Sequence, residues 1–202
     1  MSPLTHRYLS LGDSFTIGTG VAADRSFPAQ LIGRWHDLGL PVALTNPAVN
    51  GYTTDDLIAH ELPLARATRP TVVTLLIGAN DIVRGLDGDR YDAQVQRIVA
   101  GLTEAGVPAD ALYALPQPDW SASPGAAGFG TAAALRARIE RANASLRQVT
   151  ESAGATYLDL WPLLRRQADA AMLAPDGLHP SAEAYAEWVD VLATNIPISR
   201  EG

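Results

Sequence analysis

The sequence contains no cysteine. That removes disulfides and thiolate chemistry, and it fits a reducing cytosol without requiring one. Long hydrophobic runs are also missing, so no segment is apolar enough to span a bilayer. Residues Met1 to Arg7 do not lead into the apolar stretch of a signal peptide, and a cytoplasmic location is the expectation. Positive charge is in deficit. The formal net charge of −7 disfavours nonspecific association with nucleic acid or an anionic membrane. Paired histidine or cysteine ligands are lacking, so metal chemistry has no sequence signature. What is present is 47% apolar residues in a chain of 202. That is enough for one well-buried core and too short to expect a second. A single domain over residues 1–202 is expected, without internal repeats or a linker. Oligomeric state leaves no mark on the sequence.

Short apolar runs alternate with helical patterns. Tyr8 to Leu11, Val42 to Thr45, Thr71 to Ile77, Ala111 to Leu115 and Ala155 to Leu160 read as strands too widely spaced for hairpins. Between them, Phe27, Leu31, Trp35 and Leu38 share a helical face, with Ser26 as N-cap and Gly39 as a stop. Val95, Ile98, Val99 and Leu102 repeat the pattern, as do Leu135, Ile139, Ala142, Leu146 and Val149, and finally Tyr185, Val189 and Leu192. Thr54 to Ala65 reads as a helix that Pro63 kinks or ends. Alternation of this kind predicts an α/β fold, a three-layer doubly wound sandwich around a central, mostly parallel sheet of about five strands.

Ligands of such sheets gather at the carboxyl ends of the strands. Four strings fall at that edge: Gly12-Asp13-Ser14 after the first strand, Asn50-Gly51 after the second, Gly78-Ala79-Asn80-Asp81 after the third, and Asp176-Gly177-Leu178-His179-Pro180 in the last loop. A serine hydroxyl needs a base to become a nucleophile. Imidazole is the side chain suited to that task near neutral pH, and Pro180 at the first helical position would set His179 at or near an N-cap. The remaining histidines, His6, His36 and His60, have no such setting. Asp176, three residues earlier, is placed to orient the imidazole, although Asp-Gly is also an ordinary turn string. Donors for a developing oxyanion are available from the backbone N–H of Ser14, the backbone N–H of Gly51 and the amide of Asn80.

These four blocks resemble those of the SGNH hydrolases, the GDSL family of esterases and lipases, and the resemblance spans residues 12–180. It implies a flavodoxin-like fold and an acyl-enzyme mechanism without metal or cofactor. Ser14 would be the nucleophile, His179 the general base and Asp176 its orienter. Ser14, Gly51 and Asn80 would form the oxyanion hole, with Asp13 and Asp81 as hydrogen-bonding supports. Phe15 stands where the family name has leucine. Small-molecule esters are the implied substrates. Ile17, Ile82 and Leu178, adjacent to catalytic positions, are expected to form the pocket with Trp120 from the Pro- and Gly-rich segment 116–130. That segment follows the fourth strand, and its Trp120 and Phe129 either wall the pocket or tuck the loop onto the body.

Other readings have specific weaknesses. A non-catalytic binding protein on the same fold has no need of a complete catalytic set. A thioesterase or a carbohydrate deacetylase would use the same site. Gly18-Thr19-Gly20-Val21-Ala22-Ala23 matches a dinucleotide fingerprint, but the string sits several residues beyond the strand and the helix starts after it. Arg136, Arg138, Arg141 and Arg147 cluster on one helical pattern and read as a solvated face rather than a nucleic-acid surface.

Overall fold

The computed structural model describes residues 6–198. Its centre is a five-stranded sheet in the order β2-β1-β3-β4-β5, built from β1 (His6–Gly12), β2 (Val42–Thr45), β3 (Val72–Leu76), β4 (Leu112–Ala114) and β5 (Thr156–Tyr157). Every strand pairing is parallel. β3 is buried along its whole length, as expected of a strand covered on both faces. The fifth strand is shorter than the pattern Ala155 to Leu160 suggests. Leu158 still donates its N–H to Ala114, but Asp159 then accepts from the N–H of Trp161 and turns the chain into α8 (Trp161–Asp169).

One face of the sheet carries α2 (Phe27–Asp37) against α9 (Ala182–Asn195), with α8 bound to α9 through Gln167 and Arg166. The other face carries α3 (Thr54–His60), α6 (Gly88–Glu104) and α7 (Ala132–Ser152). Three short helices complete the chain: α1 (Ser14–Ile17), α4 (Leu64–Thr68) and α5 (Ala79–Val83). The core is aromatic on the α2/α9 side. Trp35 meets Tyr8 edge-on at 5.5 Å, and Phe27 and Tyr185 both contact Trp188. The predicted helical stripes turn inward: Leu31, Val95, Ile98, Ile139, Leu146 and Leu192 are fully buried.

Helix boundaries follow local chemistry, in places not the chemistry the sequence suggests. Pro63 separates α3 from α4, as anticipated. Ser26 precedes α2 but does not cap it with its side chain, because its hydroxyl instead donates to the carbonyl of Ala23. α6 begins at Gly88, earlier than the apolar stripe indicates, because Asp87 caps the N–H groups of Asp89 and Arg90. α9 is capped by Ser181, which accepts from Ala184, so His179 lies outside the helix and Pro180 bridges to Leu173.

Segment 116–130 is fastened down rather than loose. Asp119, with a side chain only 1% exposed, is gripped by Arg136 of α7 and Arg165 of α8, each at 3.0 Å. Asn143 of α7 bonds both the N–H and the carbonyl of Gln117. The segment therefore bridges the helical layers across the carboxyl edge of the sheet.

Leu75 sits in the middle of the central strand and is fully buried. Replacing it with alanine is expected to destabilise the fold by about 2–5 kcal/mol through lost burial and the cavity left behind. Urea denaturation of Leu75→Ala against the wild type measures this directly.

Candidate active site

Strand pairing assembles the site. β1 and β3 run in register from Tyr8↔Val72 to Gly12↔Leu76, so the segments leaving both strands emerge at one level. β1 is also the point where the strand order reverses, the usual ligand crevice of doubly wound sheets. Ser14 begins α1 immediately beyond it. Asp13 caps this helix by accepting the N–H of Phe15 at 3.0 Å. Ser14 is 5% exposed, its backbone fixed in place by the turn.

The loop after β2 carries the next group. Asn46 donates to the carbonyl of Thr16 in α1, and Tyr52 closes a tight turn on Val49, with Gly51 at φ +90° where a side chain would be strained. Asn80, in the first turn of α5, donates to the carbonyl of Tyr52 at 2.9 Å, and Arg84 donates to the carbonyl of Gly51 at 3.0 Å. Asp81 reaches in the other direction and accepts from both the N–H and the hydroxyl of Thr54 at the start of α3. The loop is thereby held between α1, α3 and α5. Neither the N–H of Ser14 nor that of Gly51 has an acceptor among the described residues. The Asn80 amide keeps one of its two protons uncommitted after bonding Tyr52.

The Asp176–His179 segment is a self-contained unit. Oδ2 of Asp176 meets Nδ1 of His179 at 2.7 Å, while Oδ1 accepts the backbone N–H groups of Leu178 and His179. The loop is closed by Ala174 donating to the carbonyl of His179 at 2.7 Å, and braced from segment 116–130 by Gly125 donating to Gly177. Burial alone would raise the Asp176 pKa, but the His179 side chain and the two backbone donors outweigh it and hold the carboxyl below the usual range. Gly20 contributes by lacking a side chain, since a Cβ there would stand 3.0 Å from Oδ2 of Asp176 and 2.8 Å from the Cβ of Ala174. The second glycine of the string that resembles a nucleotide fingerprint thus backs the carboxylate, while Gly18 packs against Ser26. The His179 ring lies 5.2 Å from that of Phe15, the neighbour of Ser14, and Phe15 is itself anchored by Tyr185 donating to its carbonyl. No hydrogen bond joins Ser14 Oγ to His179 Nε2 among the described residues.

The pocket residues expected from sequence divide into two groups. Ile17 is 36% exposed and Leu178 is partly exposed, so both are available to a ligand. Ile82 and Trp120 are 5% and 3% exposed and belong to the core. Ile82 packs inward from α5, and Trp120 is turned in beside Phe129, edge-on at 6.5 Å. Sequence reasoning missed the aliphatic residues exposed nearby, Val49 two positions before Gly51 and Val83 three after Asn80. The i,i+3 spacing from Asn80 to Val83, the same as from Ser14 to Ile17, is the signal that could have found Val83.

Sequence reasoning also missed Glu61. It is fully buried at the end of α3, and its Oε2 accepts the N–H of Gly12 at 2.9 Å. Thr54, Leu57 and Glu61 fall at helical spacing on the inward face, and a carboxylate on that stripe is the detectable anomaly. Burial pushes the Asp13 carboxyl up to about 7 and the Glu61 carboxyl up to about 8, their backbone hydrogen bonds offsetting only part of the effect. Asp81 is raised for the same reason.

A serine at the end of the first strand, free N–H donors beside it, and an Asp–His pair at the same edge are the groups that serine-hydrolase chemistry draws on. The comparisons with known proteins are specific within that class. The model of the GDSL-like lipase/acylhydrolase family matches residues 10–187. The chain belongs to this family. A curated arylesterase of Vibrio mimicus is 26% identical over 105 residues, and the match spans about half of each protein, 52% of both. Among solved structures, the fold is similar to an acetylxylan esterase from Geobacillus stearothermophilus (TM-score 0.76, 18% identity, 96% of this chain and 95% of that one). It is also similar to the esterase EstA from Pseudoalteromonas sp. (TM-score 0.73, 18% identity, 95% of this chain and 96% of that one).

The raised carboxyls set a pH dependence of stability. A group whose folded pKa lies above its unfolded value contributes most below the unfolded pKa, and the contribution is lost as pH rises through the folded pKa. For Asp13 and Glu61 that loss runs from the ordinary carboxylate range up to about 7 and about 8. Asp176 acts oppositely and gives up its contribution only as pH falls through its lowered value. Calorimetry is expected to show the melting temperature falling between about pH 5.5 and about pH 8.5. A profile that rises over this interval would contradict the assignment.

Proposed function

We propose that the chain hydrolyses small carboxylic esters through an acyl-enzyme on Ser14. The observation that carries this reading is the convergence of an Asp176-oriented imidazole with unoccupied N–H donors around Ser14. Ser14 Oγ attacks the ester carbonyl while His179 Nε2 takes its proton, and Asp176 stabilises the imidazolium that forms. The N–H groups of Ser14 and Gly51 and the amide of Asn80 receive the oxyanion, a contribution of about 10²–10³ in rate for each donor. His179 returns its proton to the departing alcohol, and water then releases the acid by the same steps in reverse.

The surroundings favour a short acyl group. Ile17, Val49 and Val83 are exposed aliphatic side chains on the three segments that supply Ser14, Gly51 and Asn80. Beside α5, a cleft of about 370 Å³ is lined by polar groups including Thr53, Asp55, Arg84 and Arg90, a setting for a hydrated alcohol moiety. A carbohydrate deacetylase would use the same halves of the site, and that polar cleft is the feature favouring it as a second reading.

Ser14→Ala and His179→Ala are expected to lower kcat on p-nitrophenyl acetate by at least about 10³-fold with circular dichroism unchanged. Labelling of the wild type by a serine-directed phosphonate should place the adduct on Ser14, and wild-type turnover by Ser14→Ala would refute the nucleophile. Removing apolar contact with Ile17→Ser is expected to lower kcat/KM for the butyrate ester more than for the acetate, by roughly fivefold, about one buried methylene. Initial rates on the two esters measure the ratio.

A further inference from the structure

Three oxygen atoms beneath Ser14 are buried without a hydrogen-bond donor or acceptor to satisfy them: Oδ2 of Asp13, Oε1 of Glu61 and Oγ1 of Thr16. All three surround one stretch of backbone. Asp13 follows Gly12, Glu61 grips the N–H of Gly12, and Oγ1 of Thr16 lies directly against Gly12, only 2.2 Å from where a Cβ would project. Nothing in the hydrolytic steps uses Glu61. It comes from a different element, at the end of α3, and it is fully buried at the base of the nucleophile turn. A buried charged carboxyl without solvating partners is unfavourable, and two in electrical contact resist ionising together.

We propose that Glu61 is a positioning residue for Ser14. Together with Asp13 it clamps the Gly12–Asp13 backbone from below, through the N–H groups of Gly12 and Phe15, and so fixes the direction of the Ser14 N–H and hydroxyl. The inference rests on the reading of Ser14 as nucleophile. Physically the clamp has two arms. Asp13 caps α1 through the N–H of Phe15, one residue beyond Ser14, and Glu61 holds the N–H of Gly12, two residues before it. The peptide that presents the oxyanion donor is thus pinned on both sides by carboxyls that solvent does not reach.

The pair is sensitive to charge. Asp13 feels Asp81 of α5, and Glu61 feels Asp13. The phenols of Tyr91 from α6 and Tyr185 from α9 also face Asp13, and His60 is the chain neighbour of Glu61. No described cation forms an ion pair with Asp13 or Glu61. Burial holds both carboxyls toward neutrality, and ionisation of Glu61 leaves an anion without a counter-charge beneath the turn. The consequence is an alkaline decline in kcat that belongs to this pair and not to the Asp176–His179 unit.

The test compares wild type, Glu61→Gln and Glu61→Leu by kcat and KM on p-nitrophenyl acetate across pH, and by hydrogen exchange at the Gly12 amide. Glutamine keeps an acceptor for Gly12 and cannot ionise; leucine offers neither. Glu61→Leu is expected to lose at least about tenfold in kcat with KM little changed, and to lose protection at Gly12. Glu61→Gln should recover kcat near neutral pH to within about threefold and lack the alkaline decline of the wild type. Wild-type kcat in Glu61→Leu below its melting temperature, or the same alkaline decline in Glu61→Gln, would overturn the proposal. Should Glu61→Leu fail to fold, the Glu61→Gln profile decides alone. Exchange at Gly12 separates this failure from that of the parent reading. A Gly12 amide equally protected in Glu61→Leu and wild type removes the clamp whatever the esterase result. Exposure of that amide in Glu61→Leu, beside a wild type that takes no phosphonate on Ser14, upholds the clamp and removes the nucleophile.

Discussion

The register between β1 and β3 is the constraint on which the rest depends. Gly12 pairs with Leu76 at the last rung, so both strands release their chains at the same height. A shift of one residue in that pairing would separate Ser14 from Asn80 and move the side chains of the slipped strand to the opposite face of the sheet. The buried hydroxyls of Tyr8, Ser10 and Thr74 reinforce the register with bonds across the two strands at 2.8 and 3.0 Å. β3 is buried throughout and β1 from Tyr8 to Gly12, so a slip in register would mismatch close-packed side chains on both faces of the sheet.

Above that rung the site is maintained chiefly by polar groups taken out of solvent. Asp81 ties α5 to α3, Glu61 ties α3 to β1, and Asp13 caps the short helix that carries Ser14. The first two bonds each join a different pair of elements, and the third fixes the turn between them. The arrangement is acidic, and buried carboxyls raised toward neutrality make it stiff on the acid side and strained on the alkaline side. Arginine pairs elsewhere behave differently. Asp119 has two guanidinium partners, each about one-third exposed, and it fastens segment 116–130 by ordinary charge compensation.

Much of the fold was legible because its signals are local. Alternating apolar runs and helical stripes located the strands and the principal helices, and the four short strings marked the carboxyl edge. The parts that were not legible depend on choices between competing local bonds. Ser26 had a carbonyl at Ala23 to bond instead of capping α2, and Ser181 displaced His179 from the cap of α9. Adjacency in sequence also misled on the pocket: Ile82, beside Asp81, turns into the core, whereas Val83, one residue further, faces out. Glu61 left a trace in the sequence, a carboxylate on the inward stripe of α3, but its partner at Gly12 emerges only when the helix is placed against the turn.

The Asp176–His179 unit has its own hydrogen bonds and needs only a few consecutive residues to form. Ser14, Gly51 and Asn80 all lie in the first half of the chain, and the imidazole arrives close to the far end of the described residues. During synthesis the hydroxyl and its N–H donors would leave the ribosome long before the base, and α9 must dock on α2 before the two meet. On the proposed mechanism, a growing chain carries an exposed serine with no means of activating it. Activity would then report the docking of α9 on α2, and hydrolysis would be silent in any structure formed before it.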